Sequence, residues 1–216
     1  MTIYEDYEPI LDAVLDEFED CMSAVDARHR SETGEHLFEH ILGRIKSDES
    51  MRDKLRRKSL REDAASALTM IKDAIGIRII CSFIDDLYKV RDIIDSIDGL
   101  EIIEEKDYIR HAKPNGYRSY HLILKIDLSF VKRAIEKHCP DLDIEGYASR
   151  QIRQLYAEVQ LRTIAMDSWA ALEHRLKYKK NIKNQDVIVA ELKRCADEMA
   201  GCDLSMQTIR DLILKE

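Results

Sequence analysis

Residues 71–83 read IKDAIGIRIICSF. The second half of this segment is a run of apolar, mostly β-branched residues around Arg78, which is typical of a strand buried within a sheet. We therefore predict a central strand over residues 76–83. Asp73 lies just before this strand, where a carboxylate can face a ligand. Arg78 needs a partner or a ligand, because an unpaired buried charge is costly.

The segments that follow this strand predict an α/β domain. Asp85 or Asp86 can cap a helix, and β-rich runs at 100–109 and 119–126 predict two antiparallel strands. A short helix is predicted over 129–137. The succession of strand, helix and strand favours a sheet covered by helices.

The last third of the chain predicts one more strand and two helices. Residues 152–161 alternate apolar and polar side chains, which indicates a strand with Glu158 on its polar face. Thr163 can cap the next helix, and a final helix is predicted over 186–215, with a break near Gly201 as an alternative. The first of these helices is expected to pack inward through Met166, Trp169, Ala170, Leu172 and Leu176.

Residues 7–25 carry apolar side chains at helical spacing, which predicts a long amphipathic helix. Its acidic residues fall largely on the other side, and charged runs are usually solvated faces. We therefore expect the helix to pack against the body of the protein or a partner subunit, without a catalytic role for its carboxylates. The acidic side comprises Asp12, Asp16, Glu17, Glu19 and Asp20.

Residues 36–61 concentrate basic side chains in an otherwise acidic protein. Ser50 and Asp53 have capping-box spacing and predict a helix that begins near Ser50. Arg44 and Lys46 would share a side only in an extended segment. Guanidinium and ammonium groups suit phosphate oxygens, so the cluster predicts a polyphosphate site, with a solvent-exposed basic helix as the alternative. The predicted basic stripe on the helix consists of Lys54, Arg57, Lys58 and Arg61.

Residues 113–121 read KPNGYRSYH and connect the two antiparallel strands. Pro114 fixes φ, Gly116 permits conformations that other residues resist, and Asn-Gly after proline favours a tight turn. The turn displays a lysine, an amide, two tyrosines, an arginine and a histidine at one place. The alternative is an ordinary hairpin in which Tyr117 and Tyr120 are only paired aromatic residues.

Size and composition exclude several classes of protein. At 216 residues the chain can form one well-buried domain with helical appendages. The formal net charge of −8 argues against nonspecific nucleic-acid binding, so RNA is not predicted as a partner.

The five scattered cysteines form no C-x-x-C pair and are expected to be reduced. No apolar run reaches the roughly 20 residues of a membrane helix, and the acidic N-terminus is unlike a signal peptide, so we predict a cytoplasmic protein without a membrane partner.

Asp73 and Glu158 are two carboxylates on sheet elements, and the basic segment and the KPNGYRSYH connection supply cations. Hard acidic ligands beside phosphate-binding cations are what Mg²⁺-dependent phosphoryl or pyrophosphoryl transfer requires. The sequence has no glycine-rich P-loop, which excludes an ordinary P-loop kinase.

Four runs of sequence carry a family resemblance. They are HILGRIKS at 40–47, IKDAIGIRII at 71–80, EEKDYIRHAKPNGYRSYHLIL at 104–124 and YAEVQLRTIAMDSWAALEHRLKYKK at 156–180. In order and spacing they resemble the RelA/SpoT-type (p)ppGpp synthetases, specifically the small alarmone synthetases. The resemblance implies an α/β (α+β) fold similar to nucleotidyltransferases, with a mixed sheet of about five strands flanked by helices. It also implies a GTP diphosphokinase of the stringent response, which moves pyrophosphate from ATP to the 3′-hydroxyl of GDP or GTP and releases AMP.

The resemblance further implies roles for individual residues. Asp73 would bind Mg²⁺, and Glu158 would orient or deprotonate the acceptor 3′-hydroxyl and is a second candidate ligand of the metal. Tyr117 would stack on guanine through its π-face. The residues implied for ATP are Arg44, Lys46, Lys54, Arg57 and Arg78, with the choice among Arg56, Arg57 and Lys58 left open. Those implied for the acceptor are Lys113, Asn115, Tyr117 and His121, and the supporting residues are Gln160 and Arg162. Tyr120 stands where many relatives carry an aliphatic residue.

The resemblance also implies how the chain is organised. Residues 1–35 form an N-terminal amphipathic helix, residues 36–180 the synthetase domain, and residues 181–216 a helical extension for oligomerisation. A homotetramer with a regulatory cleft for (p)ppGpp is expected. Nothing before residue 36 resembles the His-Asp hydrolase domain of the bifunctional relatives, so no hydrolase activity is predicted.

Two other functions stay open at this stage. A toxin-like relative with the same fold could pyrophosphorylate tRNA 3′ ends or adenosine nucleotides; the acidic balance weakly disfavours tRNA, and Tyr117 does not discriminate guanine from a terminal adenine. A non-catalytic nucleotide- or RNA-binding regulator is disfavoured, because a binder has no need of both Asp73 and Glu158.

Overall fold

The structure is a computed structural model, and it describes residues 2–143, 146, 152, 154–177 and 185–215. A mixed sheet of five strands forms the centre of this part of the chain. The strands are β1 His40–Ile45, β2 Ile75–Cys81, β3 Leu100–Asp107, β4 Tyr120–Ile126 and β5 Leu155–Thr163. The helices are α1 Glu8–Thr33, α2 Asp48–Arg57, α3 Ala64–Thr69, α4 Ile84–Asp95, α5 Leu128–His138, α6 Ile164–Lys177 and α7 Gln185–Ile213.

The strand order is β1-β2-β5-β4-β3, with β2 and β5 parallel and the other neighbours antiparallel. The predicted mixed sheet is therefore confirmed, and so is the antiparallel pairing of the two strands around the KPNGYRSYH connection. The central strand begins one residue earlier than predicted and ends two residues earlier.

Apolar and polar side chains alternate along the strands, so the sheet has one buried face and one polar face. In β5, Leu155, Ala157 and Val159 are buried, while Glu158 lies on the opposite, partly exposed side as predicted. The register aligns Arg44 with Gly76, Gly76 with Glu158, and Glu158 with Ile123 across four strands. Residues that are distant in the sequence therefore meet on the polar face.

Helix α1 closes one side of the core. Its apolar side chains are buried, and it packs against α5 and β1. The prediction that its carboxylates all lie on a solvated side is wrong for Glu17. This residue is only 5% exposed, and its carboxylate lies 3.1 Å from Lys137 Nζ and 3.5 Å from Arg133 Nε. These partners offset the cost of burying its charge.

Two predicted helices are present and start within two or three residues of the predicted positions, but their predicted N-cap residues are wrong. The N-cap of α2 is Ser47, whose hydroxyl accepts a hydrogen bond from the Ser50 amide, and acidic residues fill the first turn. The helix ends at Arg57, so Lys58 and Arg61 lie beyond it and the four-residue stripe does not form. Helix α4 starts after Phe83 without a side-chain cap, and Asp86 is instead buried beside Arg210 of α7 at 2.7 Å.

The two C-terminal helices differ from prediction in detail. Met166 and Trp169 of α6 are buried as predicted, but Leu172 and Leu176 are exposed. Thr163 does cap α6, because its hydroxyl accepts a hydrogen bond from the Met166 amide. Helix α7 runs without a break through Gly201. None of the helices in the described ranges is long and apolar enough to cross a membrane.

Candidate active site

The polar face of the sheet carries a first cleft of about 270 Å³ between β1, β2 and β5. Asp73 enters this cleft from the loop before β2, and Glu158 enters it from β5. The two carboxylates, 85 positions apart in the numbering, therefore open into one space. The complete lining is Leu42, Gly43, Arg44, Asp73, Gly76, Ile77, Arg78, Glu158 and Gln160.

Asp73 forms ion pairs with two lysines of the predicted phosphate site. Its Oδ2 atom lies 3.0 Å from Lys46 Nζ and 2.6 Å from Lys54 Nζ. Its Oδ1 atom is buried and receives no hydrogen bond from the described residues. Because β1 and α2 flank the loop that carries Asp73, an acidic ligand and two cations converge here.

A second cleft of about 250 Å³ lies on the other side of Glu158, between β3, β4 and the turn at residues 113–117, which we call the KPNGY turn. Glu158 is the residue common to the linings of the two clefts. The second cleft is lined by Glu104, Lys106, Tyr108, Lys113, His121, Ile123 and Glu158.

Glu158 is kept ionised by its neighbours. Its carboxylate lies 3.3 Å from His121 Nδ1 and accepts a hydrogen bond of 3.0 Å from Gln160 Nε2. The hydrogen bond from His121 is the main cause that lowers the pKa of Glu158 to about 2, against the opposing effect of burial. The group is therefore a carboxylate at neutral pH and a weak base.

A partly buried hydrogen-bond chain leads from Glu158 back to the first cleft. His121 Nε2 lies 2.8 Å from the Tyr117 hydroxyl, and Arg162 Nη2 donates to the same hydroxyl at 2.9 Å. Arg162 Nη1 then donates to Asp167 Oδ1 at 2.9 Å. All of these hydrogen bonds can form together when His121 carries its proton on Nδ1 and the Tyr117 hydroxyl donates to Nε2.

Asp167 joins two arginines. Its Oδ1 atom also lies 3.1 Å from Arg78 Nη1, which supplies the partner that the sequence required for Arg78. Burial and the nearby charge of Arg162 lower the pKa of Arg78, and Arg44 adds to the effect. In the described part of the chain Arg78 Nε has no partner. The first cleft therefore presents arginine side chains that can bind an anion.

The KPNGY turn holds the remaining predicted residues. The Lys113 ammonium lies 4.5 Å from the centre of the Tyr108 ring and 4.8 Å from that of Tyr117. Asn115 Nδ2 donates to Glu173 of α6 at 3.1 Å. The Tyr108 and Tyr117 rings meet edge to face, with an interplanar angle of 67°. Aromatic rings beside an ammonium group are suited to a nucleobase that carries phosphates.

These contacts do not bring two of the predicted site residues, Arg57 and Asn115, to the clefts. Asn115 lines neither cleft and donates to Glu173. Arg57 is exposed, and its Nε donates to the Asp53 carbonyl oxygen at 3.3 Å. Sequence reasoning missed Tyr108 and Asp167, although both lie within the runs that carried the family resemblance. No other pattern in the sequence indicates their roles, because these depend on contacts made in the folded structure.

The donors around Asp73 fit a hard divalent cation. Mg²⁺ prefers carboxylate oxygens, and Asp73 offers a buried oxygen without a partner among the described residues. Glu158 offers an ionised carboxylate in the same cleft. These two residues could hold Mg²⁺.

Comparison with known proteins identifies the family. The family described as the region found in RelA / SpoT proteins matches residues 43–183. GTP pyrophosphokinase YwaC of Bacillus subtilis is 35% identical over 97% of this chain and 92% of its own length. The chain belongs to the RelA/SpoT family. The region matched by this family contains every residue that lines the two clefts except Leu42, and it ends before α7.

Solved structures of RelA/SpoT-family proteins share the fold. Small alarmone synthetase 1 of Bacillus subtilis, in a crystal structure bound to its product pppGpp, matches with a TM-score of 0.76 and 28% identity, over 96% of this chain and 95% of that chain. Small alarmone synthetase 2 of the same organism matches with a TM-score of 0.75 and 34% identity, over 94% and 96%. A GTP pyrophosphokinase family protein from Streptococcus pneumoniae matches with a TM-score of 0.77 and 30% identity, over 98% and 94%.

Proposed function

We propose that the protein is a GTP pyrophosphokinase that transfers pyrophosphate from ATP to the 3′-hydroxyl of GDP or GTP, forming (p)ppGpp and AMP. The observation that carries this proposal is the meeting of two clefts at Glu158. A two-substrate transfer needs a donor and an acceptor held side by side. A carboxylate between the two clefts can orient the acceptor hydroxyl. Its relatives YwaC and YjbM of Bacillus subtilis are both named GTP pyrophosphokinases.

On this proposal ATP occupies the first cleft. Arg44 and Arg78 bind its phosphates there, together with Lys46 and Lys54, and Arg57 approaches from the end of α2. Asp73 and Glu158 hold Mg²⁺, which neutralises charge on the phosphate oxygens when it is bound. The cationic lining supports these roles, and so does the Asp73 oxygen that has no hydrogen-bond partner in the described part of the chain.

GDP or GTP occupies the second cleft. Tyr117 stacks on guanine, and Lys113, Asn115 and His121 bind the phosphates or sugar. The 3′-oxygen forms a bond to the β-phosphorus of ATP, the bond between that phosphorus and the α,β-bridging oxygen breaks, and AMP leaves. Glu158 accepts a hydrogen bond from the attacking hydroxyl, and its low pKa favours orientation over strong base catalysis. The hydroxyl proton is released to water as the bond to phosphorus forms.

Gln160 and Arg162 support the site from β5. Gln160 is bonded to both Glu158 and Arg162, and Arg162 is bonded to Tyr117. The two residues thereby fix the distance between the carboxylate and the stacking ring.

The choice of acceptor distinguishes the proposed function from its alternative. We expect AMP release when the protein is incubated with ATP, Mg²⁺ and either GDP or GTP, and no release above background with deacylated tRNA or adenosine nucleotides. A reaction with ATP as the sole nucleotide gives the background, and identifying its products distinguishes hydrolysis of ATP from its use as an adenosine acceptor. AMP formed only with tRNA or an adenosine acceptor would favour the toxin-like function, and no AMP with any acceptor would refute an enzymatic role.

Tyr117→Ala is expected to raise the KM for GDP by about tenfold or more while changing the KM for ATP little, because stacking on an aromatic ring contributes roughly 1–3 kcal/mol per base. Tyr117→Phe is the matched variant: it keeps the ring and removes the hydroxyl that contacts His121 and Arg162. Initial-rate kinetics of both variants separate the two substrates. An equal rise in both KM values would count against stacking.

Organisation and assembly are part of the same proposal. We infer that residues 1–35, 36–180 and 181–216 act as an N-terminal helix, a synthetase domain and an oligomerising extension of a cytoplasmic homotetramer, with (p)ppGpp as a regulator. The supporting observation is a set of exposed apolar side chains on α7. Sedimentation equilibrium tests the subunit count, and a monomer at all concentrations would contradict it. The apolar set includes Leu204, Met206, Ile209, Leu212 and Ile213.

A further inference from the structure

Helix α7 packs directly against the KPNGY turn. The turn is closed by a hydrogen bond of 2.8 Å from the Gly116 amide to the Lys113 carbonyl oxygen. Gly116 has φ +90°, and a Cβ atom there would lie 2.6 Å from the Ala196 Cβ atom of α7. The position therefore requires glycine both for its backbone conformation and for the close approach of the helix.

Arg118 fastens the turn to that helix. Its Nη1 donates to the carbonyl oxygens of Gly116 and Ala196, both at 3.2 Å, and its Nη2 pairs with Asp197 at 3.0 Å. The Arg118 side chain is 19% exposed, and Asp197 is 54% exposed. Arg118 therefore bridges the residue before Tyr117 to the body of α7, whereas Tyr117 itself points to His121 and Arg162.

Two further contacts tie α7 to the same region. Trp169 Nε1 of α6 donates to the Leu192 carbonyl oxygen at 2.8 Å, and the Trp169 ring centre lies 6.4 Å from that of Tyr117. Thr163, which caps α6, donates to Asp203 of α7 at 2.7 Å. The helix is thus attached at three points, through Arg118, Trp169 and Thr163.

We propose that α7 is a structural part of the acceptor site, and that Arg118 and Asp197 are positioning residues which hold the KPNGY turn in its binding conformation. The inference rests on the proposed function and deepens it by adding a helix that lies outside the family-matched region. If the turn were released from α7, it would have to become ordered when the acceptor binds. The free energy of this ordering would weaken binding of the acceptor and leave binding of ATP unchanged. None of the residues assigned to ATP in the proposed function lies on the KPNGY turn or on α7.

Asp197→Ala and Arg118→Ala test the inference in steady-state kinetics. We expect the KM for GDP to rise by about threefold to tenfold in Asp197→Ala and by more in Arg118→Ala, which loses three hydrogen bonds, while the KM for ATP stays within about twofold. The double variant should be no worse than Arg118→Ala, because the two residues act through one contact. Asp197→Asn, which keeps an acceptor oxygen, should recover part of the loss.

Two controls on the same helix separate positioning from general stability. Arg194→Ala removes only exposed ion pairs with Glu191 and Glu198 and should change neither KM. Arg210→Ala cuts the attachment of α7 to Asp86 and should lower Tm without a selective rise in the KM for GDP. If Arg210→Ala and Asp197→Ala raise that KM equally, α7 contributes stability only and the inference is overturned.

Trp169 provides an equilibrium readout without turnover, since it is the single tryptophan of the chain. GDP is titrated in the absence of ATP, and the fluorescence change of Trp169 is followed. The midpoint should move to higher GDP concentration in Arg118→Ala and Asp197→Ala, and not in Arg194→Ala. Unchanged midpoints in the first two variants would overturn the inference even if the wild type makes (p)ppGpp. A wild type that binds GDP but releases no AMP would instead refute the proposed function.

Discussion

Glu158→Gln is expected to lower kcat by about a thousandfold with the protein still folded. The substitution keeps the shape of the side chain and an oxygen that can accept from His121 and Gln160. It removes the negative charge at the junction of the two clefts, where the attacking hydroxyl and the metal both need an anion. AMP release with GDP measures the loss, and circular dichroism checks the fold.

The matched control for this charge removal is Glu101→Gln. Glu101 is a carboxylate on β3 that pairs with Lys125, outside both clefts, and its substitution should leave kcat unchanged. A Glu158→Gln variant with more than about a tenth of wild-type kcat would contradict the role given to Glu158.

The lowered pKa of Glu158 determines how its contribution to the stability of the protein should depend on pH. Because the folded-state pKa is depressed to about 2 from the usual 4.5, its contribution to stability is complete above pH 4.5 and is lost as the pH falls through about 2. The Tm difference between wild type and Glu158→Gln should therefore narrow below pH 4.5. Loss of activity between pH 7 and pH 5 must come from another group.

Asp73→Asn is expected to abolish turnover while leaving metal-free ATP binding intact or tighter. Asp73 now neutralises Lys46 and Lys54, and removing its charge leaves both ammonium groups available to the triphosphate. The variant also loses a hard ligand for Mg²⁺, so kcat should fall by about a hundredfold or more. Calorimetric titration with ATP in the presence of a chelator measures the first effect, and AMP release with Mg²⁺ measures the second.

Asp95→Asn is the control for Asp73→Asn. Asp95 lies on α4 and pairs with Arg91 outside both clefts, so the change should affect neither measurement. If Asp73→Asn weakened metal-free ATP binding strongly, the carboxylate would be organising the lysines rather than competing with ATP. That outcome would contradict the charge balance proposed here.

The sheet and its polar face were predictable because they depend on local periodicity. The alternation in 152–161 placed Glu158 on the polar face, and the apolar run at 76–83 identified the central strand within two residues. Thr163 was recognised as a cap because capping depends on adjacent residues. Asp73 and Glu158 were assigned to one site by the family resemblance, and the register of β2 with β5 explains physically why they meet.

The errors and omissions arose where contacts between distant segments decide the outcome. Asp86 looked like a cap but is buried against Arg210, 124 positions away. Asp167 and Arg118 carried no signal of their own, because their partners lie on other elements. Leu172 followed the helical pattern yet is exposed, since periodicity gives the direction of a side chain but not whether another element covers it.

The central claim is that Asp73 and Glu158 hold one divalent ion at the junction of the two clefts. Its most direct test is Mn²⁺ binding, followed by electron paramagnetic resonance in the presence of a non-hydrolysable ATP analogue. Wild type should bind Mn²⁺ at a single tight site, and both Asp73→Asn and Glu158→Gln should bind it much more weakly, whereas Asp95→Asn and Glu101→Gln should not differ from wild type. Unchanged Mn²⁺ affinity in either Asp73→Asn or Glu158→Gln would contradict the claim.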